Sequence, residues 1–306
     1  MDMNDREAAG LRGPVAVCKT EQLERGFVIR ESFRRDGKLE ERRGRNRDGS
    51  EWSMVRRYDT DGRLLEENRT GLQPQTLTYR YDVKGRLERI DFRTPEGTER
   101  VQESYLYYDD QTSATTLYID PPPGDQKASV GMDIETMLHK SPDAVCIMTA
   151  RDSGGRPVKE VLFDADNRVI RVARFRYDGA GRLLEEGEVE SGDHVRADMR
   201  NLYRYDAAGH CIEAEMYWGA FGGQRKTMSY NERGDLKEER VAPLPAGANL
   251  FEVTPCSRHY DYEYDAHGNW TSRTEQVRTL DAGAPVRTEV AQRKLTYWGS
   301  LDVLQR

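Results

Sequence analysis

Adjacent carboxylates are the residues of this sequence that most readily invite a chemical reading. Glu66-Glu67, Glu185-Glu186 and Glu238-Glu239 are paired acids, and two carboxyl groups flanking a sugar are the machinery of glycoside hydrolysis. All three pairs stand at the same offset behind an Arg-Leu or Asp-Leu. A constant offset marks a repeated strand position facing Arg and Lys on the neighbouring strand, which fits better than an acid–base pair. Gly13-Pro14-Val15-Ala16-Val17-Cys18-Lys19-Thr20 is one residue from a phosphate-binding loop. Cys18, however, stands where a glycine must let backbone amides face the phosphates, and no strand precedes it. Cys256-x-x-His259 with His267 has zinc-like spacing but lacks the partner pair that a four-ligand site needs. Asp59-x-Asp61-Gly62 echoes a calcium loop, yet Arg57 stands two residues ahead of it and the distal Glu is not fixed. The five histidines are tied to no nucleophile and no G-x-S-x-G occurs. The expectation is no catalytic residue, no metal and no cofactor.

The elements that would position such residues are written in a repeated stretch. Phe175-Arg176-Tyr177-Asp178-Gly179-Ala180-Gly181-Arg182-Leu183 has counterparts at Tyr58-Asp59…Gly62-Arg63-Leu64, Tyr81-Asp82…Gly85-Arg86-Leu87, Tyr205-Asp206…Gly209, Tyr230-Asn231…Gly234 and Tyr264-Asp265…Gly268. Asp at the first turn position accepts from the backbone that follows it. Gly three residues on takes the positive φ that lets a type I turn close a hairpin with a bulge. Tyr-x-Tyr places two rings on one face of the incoming strand. Counted from the leading aromatic, copies start at 33, 58, 81, 163, 177, 205, 230 and 264, mostly at intervals of about 23–28 residues. The copy at Phe163 uses Asn167 for Gly, and Arg151-Asp152-Ser153-Gly154-Gly155-Arg156 is a weaker copy. Repetition on this scale means an elongated array whose units pack on their neighbours.

Composition agrees with thin sheets. Of 306 residues only 36% are hydrophobic, 33% are charged, and Tyr (16) outnumbers Phe (7) and Trp (4). The net charge of −7 with both signs interspersed offers no field for a phosphate backbone, which excludes nucleic acid as a partner. No apolar run reaches transmembrane-helix length, and residues 1–10 carry no signal-peptide core. The default compartment is therefore the cytoplasm; a leader ahead of Met1 would change it to export or the cell envelope. Four widely spaced cysteines, Cys18, Cys146, Cys211 and Cys256, read as free thiols.

The expected fold is all-β: tandem antiparallel hairpins forming one long twisted or curved sheet or open shell. Residues 1–10 read as a disordered tail and 11–108 as an N-terminal repeat block. Residues 109–150 read as an insertion or degenerate repeats, and 151–306 as a C-terminal block continuous with the first. Within 109–150, Thr115–Ile119 reads as a strand, Pro121-Pro122-Pro123-Gly124 as irregular, Met132–His139 as a short helix and Ala144–Met148 as a buried strand. Leu295-Thr296-Tyr297-Trp298 reads as a strand capping the array.

The motif resembles the YD repeat of the Rhs, teneurin and toxin-complex proteins, with consensus Tyr-Asp-x-x-Gly-Arg-Leu, over roughly residues 27–108 and 150–275. Leu11-Arg12-Gly13-Pro14-Val15 and Tyr264–Thr271 are also similar to compact bacterial YD-repeat proteins. The resemblance implies hairpins that, in large members, wind into a hollow shell around a toxin segment. This chain is short for sizeable cargo, and Asp120-Pro121-Pro122-Pro123-Gly124 lies mid-chain, away from the cleavage motif that ends those shells. Self-cleavage is not implied.

Function is expected where the repeat breaks. Glu215-Met216-Tyr217-Trp218-Gly219-Ala220-Phe221-Gly222-Gly223 puts Tyr217, Trp218 and Phe221 at a hairpin tip, a candidate contact surface for a protein or glycan. The expected role is a non-catalytic scaffold binding a macromolecular partner. The alternatives are a stand-alone relative of a polymorphic-toxin shell and a carbohydrate-binding surface protein. A carboxylate hydrolase on the concave face comes last.

Overall fold

A computed structural model describes residues 4–71, 74–109, 111–117, 146–164, 166–190, 199–219, 222–244, 253–279 and 286–299. A short helix, α1 (Asp5–Ala8), precedes the strands β1 (Val15–Gln22), β2 (Phe27–Phe33), β3 (Leu39–Arg45), β4 (Glu51–Tyr58), β5 (Leu64–Thr70), β6 (Gln75–Tyr81) and β7 (Leu87–Arg93). Next come β8 (Glu99–Tyr107), β9 (Thr112–Leu117), β10 (Cys146–Arg151), β11 (Pro157–Phe163), β12 (Val169–Tyr177), β13 (Leu183–Glu190) and β14 (Met199–Tyr205). The last are β15 (Cys211–Trp218), β16 (Gly223–Tyr230), β17 (Leu236–Pro243), β18 (Cys256–Tyr264), β19 (Trp270–Thr279) and β20 (Arg287–Tyr297).

Each strand pairs antiparallel with the next, and β20 returns to pair with β1, from Val15 opposite Tyr297 to Gln22 opposite Ala291. The sheet is a closed twenty-stranded barrel, which corrects the expected open sheet or shell. The strand expected to cap the array, around Leu295 to Tyr297, instead lies against the strand of Val15 and Val17 that opens it. Closure removes both free edges, so the wall needs no capping repeat. With strands ~4.8 Å apart and tilted, twenty strands on a circle span about 35–40 Å, beyond the width that side chains fill. Burial agrees, because most strand residues are half-buried on their more covered face. The compact apolar cluster of Leu11, Val15, Cys18, Phe33 and Leu39, flanked by Met54, Leu295 and Tyr297, sits at the seam between first and last strands.

Antiparallel order sends alternate turns to opposite rims. One rim carries nine described turns, at 34–38, 59–63, 82–86, 108–112, 152–156, 178–182, 206–210, 231–235 and 265–269, all closed by a backbone bond from the first residue to the carbonyl of the fifth. In those with Gly in fourth place its φ is positive, +84° at Gly181 for example, and a register shift follows at Arg57/Tyr58 and equivalent positions. The bulged type I turn read from Asp and Gly is thus the structure of this motif rim. The ring also explains the irregular spacing. The weak copy at 152–156 is in phase, whereas the copy after Phe163 joins β11 to β12 at the opposite rim, where Asn167 has a φ of 61°.

The described parts of residues 109–150 continue the wall. Tyr108, Asp109 and Thr112 form an in-phase turn without glycine. β9 and β10 pair with each other as ordinary wall strands. The expected Met132–His139 helix and the proline run lie outside the described residues. The expected tail differs as well. From residue 4 it forms α1, held by a reciprocal Asn4–Glu7 capping box, and Arg6 N–H donates to the Gly37 carbonyl on the first motif turn. A polar sequence is ordered here because its donors and acceptors meet turn backbone.

Candidate functional site

The reactive-looking groups of the repeat are committed to one another. In the β12–β13 turn the Asp178 carboxylate accepts from the Ala180 and Arg182 amides, each at 2.9 Å, and from Arg182 Nε at 2.7 Å. These bonds, the Arg182 amide foremost, hold its pKa below the usual carboxylate range. The Arg182 guanidinium then lies over the Tyr205 ring of the next hairpin, 4.9 Å from its centre. Tyr205 in turn donates to the Leu183 carbonyl at 2.8 Å. The same relay runs through Arg63 to Tyr81 and Leu64, and through Arg86 to Tyr107 and Leu87. In another copy His210 replaces Arg, stacking on Tyr230 at 4.6 Å, and Tyr230 donates to the Cys211 carbonyl. Asp, Gly, Arg, Leu and Tyr of the motif therefore serve turn closure and the adhesion of one hairpin to the next.

At the seam the relay changes. Asn269 takes the place of the repeat's Arg and is 1% exposed. Its Oδ1 accepts from the Arg12 amide at 2.6 Å, and its Nδ2 donates to the Arg12 carbonyl and to Tyr297 Oη, both at 2.8 Å. Tyr297 also donates to Asp265 and stacks on His267 at 4.0 Å. Burial and the neighbouring Asp265 carboxylate push the Tyr297 phenol up to about 12. Arg12 binds the Gly268 and Arg233 carbonyls, so the N-terminal segment ties the last turns to the first strand.

The acidic pairs straddle the wall, since successive strand residues face opposite sides. Glu66 meets Arg57 on the more exposed face. Glu67, at 2% exposure, is clamped by Arg56 Nε at 2.8 Å and Arg69 Nε at 2.6 Å on the covered face. Glu185 faces Arg176 and Arg200, and Glu239 faces Arg258 at 2.7 Å. Cross-strand arginine pairing is as read from sequence, but the second acid of each pair is covered rather than solvated. On a closed wall concave side chains crowd while convex ones splay. The covered face, with Tyr79, Phe92, Tyr105, Glu67 and Tyr262, is therefore the inner one, and burial pushes Tyr79 up to about 12.

The predicted tip is divided by the same alternation. Tyr217 pairs with Arg200 and Gly223 on the outer face and donates to Glu215 at 2.9 Å, which Arg225 also holds. Trp218 pairs with Met199 on the inner face, its amide donating to the Gly222 carbonyl. Phe221 lies outside the described residues. The tip sits on the rim opposite the motif turns, where the connections 118–145, 191–198 and 280–285 also begin and end. Strand alternation was available to separate Tyr217 from Trp218 in advance.

The remaining motifs do not converge. Cys256 lies inward beside Arg258, whereas His259 faces Asp261 outward at 3.3 Å, and His267 is at the motif rim. Among the described residues no three His, Cys, Asp or Glu cluster as a metal site. Residues 15–20 of the loop-like stretch are β1 itself. The four cysteines are unpaired. Among the described residues no helix is long and apolar enough to cross a membrane.

A family known only as an uncharacterised protein matches residues 147–243, under half of the chain. No curated protein matches it in sequence. Among solved structures it is similar to a porin-like protein from Bacteroides uniformis ATCC 8492, at 10% identity over 93% of this chain and 98% of that one, with a TM-score of 0.40. It is also similar to TcdB2-TccC3, at 15% identity and a TM-score of 0.29, over 86% of this chain. It spans only 18% of the length of that chain. At these scores the likeness carries no statement about activity.

Proposed function

We propose that the protein is a non-catalytic scaffold, a hollow barrel that binds a macromolecular partner at the rim opposite its motif turns. The observation carrying this reading is the relay: Asp178, Arg182 and Tyr205 and their counterparts are spent on the wall. Tyr217 and Trp218, which depart from the repeat, stand at the rim opposite the motif turns. The barrel stands in water rather than lipid. Its outer face carries Arg57, Glu66, Arg80, Asp91, Arg176, Glu185, Arg204 and Glu213 in cross-strand pairs, whereas a lipid-facing wall needs an outward apolar band.

The test is co-expression with the proteins encoded beside it. A stoichiometric complex weakened about tenfold or more by Tyr217→Ser with Trp218→Ser, and unaffected by Arg63→Gln on the motif rim, supports the scaffold. Turnover of a glycan or ester substrate abolished by Glu67→Gln or Glu186→Gln in a folded protein refutes it. A second reading, a stand-alone relative of polymorphic-toxin shells, is favoured by the nine in-phase turns. It requires that the partner be a secreted effector or part of its delivery apparatus. Carbohydrate binding instead requires quenching of Trp218 fluorescence by cell-wall oligosaccharides.

A further inference from the structure

Most inward-facing arginines are matched with acids. Arg56 and Arg69 share Glu67, Arg42 meets Glu31 at 3.2 Å, and Arg258 lies between Glu239 and Glu275. Arg273 on β19 and Arg293 on β20 differ. Register puts both on the inner face, Arg273 opposite Ala291 and Arg293 two residues further along. Both guanidiniums lie against the same indole. Arg293 is 3.7 Å and Arg273 5.4 Å from the centre of Trp270, which is only 9% exposed. Tyr260 adds a second ring 5.7 Å from Arg273.

Neither has a carboxylate within ion-pair distance among the described residues. The nearest acids are engaged elsewhere: Glu31 by Arg42, Asp235 by Tyr264 and Arg12, and Glu275 by Arg258. Arg293 Nη2 reaches the Ala9 carbonyl at 3.4 Å, while its Nε and Nη1, and Arg273 Nε, are shielded from solvent without a hydrogen-bond partner. Shielded cationic donors without an acceptor are costly, and a fold keeps them where something negative completes them. Burial and the nearby Arg273 charge both lower the Arg293 pKa, although Cys18, Glu31 and Asp235 oppose this. The two side chains are only half-buried as residues, which leaves a route from the lumen.

We propose that Arg273 and Arg293, braced by Trp270, form an oxyanion-binding site on the inner wall, taking the carboxylate or phosphate of a bound ligand. Guanidiniums are weakly hydrated, present several fixed donors and stack on aromatic faces, which suits a partly desolvated anion site.

The experiment measures thermal stability of the full chain at constant ionic strength, titrating sodium phosphate or sodium acetate against sodium chloride in Tris. A saturable rise of a few degrees is expected. A response to phosphate alone assigns a phosphate ligand, and a response to acetate a carboxylate. Arg273→Gln and Arg293→Met should abolish the rise, and Arg80→Gln on the outer face should keep it. Without added oxyanion, Arg293→Met should be at least as stable as the parent, because it removes an unmatched charge. No saturable rise up to about 100 mM overturns the proposal, as does an equal rise in Arg273→Gln, which would mean a general salt effect. Should Arg293→Met fail to fold, the more peripheral Arg273→Gln decides between a lost and a retained rise.

Discussion

Replacing Asn269 by Ala tests whether ring closure depends on the seam. Asn269 makes three bonds there, to the Arg12 amide, the Arg12 carbonyl and Tyr297. Truncation removes all three and leaves a buried site 1% exposed with partners facing a side chain that cannot answer them. Each lost bond costs about 0.5–1.5 kcal/mol net, and more where the abandoned group stays out of water. Arg12 is half-exposed and regains some water, so the sum is about 2–4 kcal/mol. For a chain of this size, with an unfolding entropy of ~0.6 kcal/mol/K, that is a fall in Tm of roughly 3–6 °C. Urea unfolding measures the loss, and hydrogen exchange locates it. Amides of Leu11 to Cys18 and of β20 should lose protection before those of β4 to β7. Arg182→Ala, a similar truncation in an ordinary repeat with a half-exposed side chain, is the control and should cost about 1 kcal/mol. A loss below about 0.5 kcal/mol for Asn269→Ala, or protection lost evenly around the barrel, would refute a seam-dependent closure.

Two further outcomes follow from the motif rim. Gly181→Val places a β-branched residue at a φ of +84° with its Cβ 2.6 Å from Arg156 Nη1, so a loss of about 1–3 kcal/mol is expected in urea unfolding. A near-neutral result would remove the turn assignment. Asp82, Asp178 and Asp206 are held below the usual carboxylate range, first by backbone donors and then by Arg or His. A depressed folded pKa contributes stability above the unfolded value of about 3.9 that is lost as pH falls through the folded one. Stability should therefore be retained at pH 5 and decline together across the turns below about pH 4. Asp82→Asn should flatten that decline, and an unchanged acid limb would show that these acids are not its source.

The hairpin unit was legible because its determinants are local. Asp and Gly specify the turn within five residues, and Asn167 announced its own positive φ. Closure was not legible, because Val15 and Tyr297 meet across nearly the whole chain and no local residue type encodes the sheet's curvature. The copy at Tyr107–Asp109 is not legible because it lacks the glycine; its place in the ring follows from Tyr107 donating to the Leu87 carbonyl. Glu67, Glu186 and Glu239 read as solvated because the side of a strand facing a lumen cannot be told from one facing water while both carry charge. The inward arginine pair was hidden for the same reason, since Arg273 and Arg293 look in sequence like any other strand arginine.

The relay has a direction, and that direction explains where the barrel needs its apolar cluster. Each turn arginine grips the tyrosine of the following hairpin, and that tyrosine bonds back to the preceding leucine carbonyl. Followed around the ring, the relay ends at Tyr297, which receives Asn269 and His267 in place of arginine. Beyond it β1 brings no motif turn, and β2 begins the series with Phe33, which has no hydroxyl to donate. Across that gap the tyrosine relay gives way to burial beside the Arg12–Asn269 bonds: Phe33 at 2% exposure packs with Leu11, Val15, Cys18 and Leu39. Polar links suffice where neighbours share the motif, and at the junction, where the relay is lost, hydrophobic contact is added to them. The opposite rim is closed by bonds of its own, among them Asn46 to Ser50, Thr94 to Thr98 and Trp218 to Gly222, and Arg25 pairs with Glu289 across the seam there.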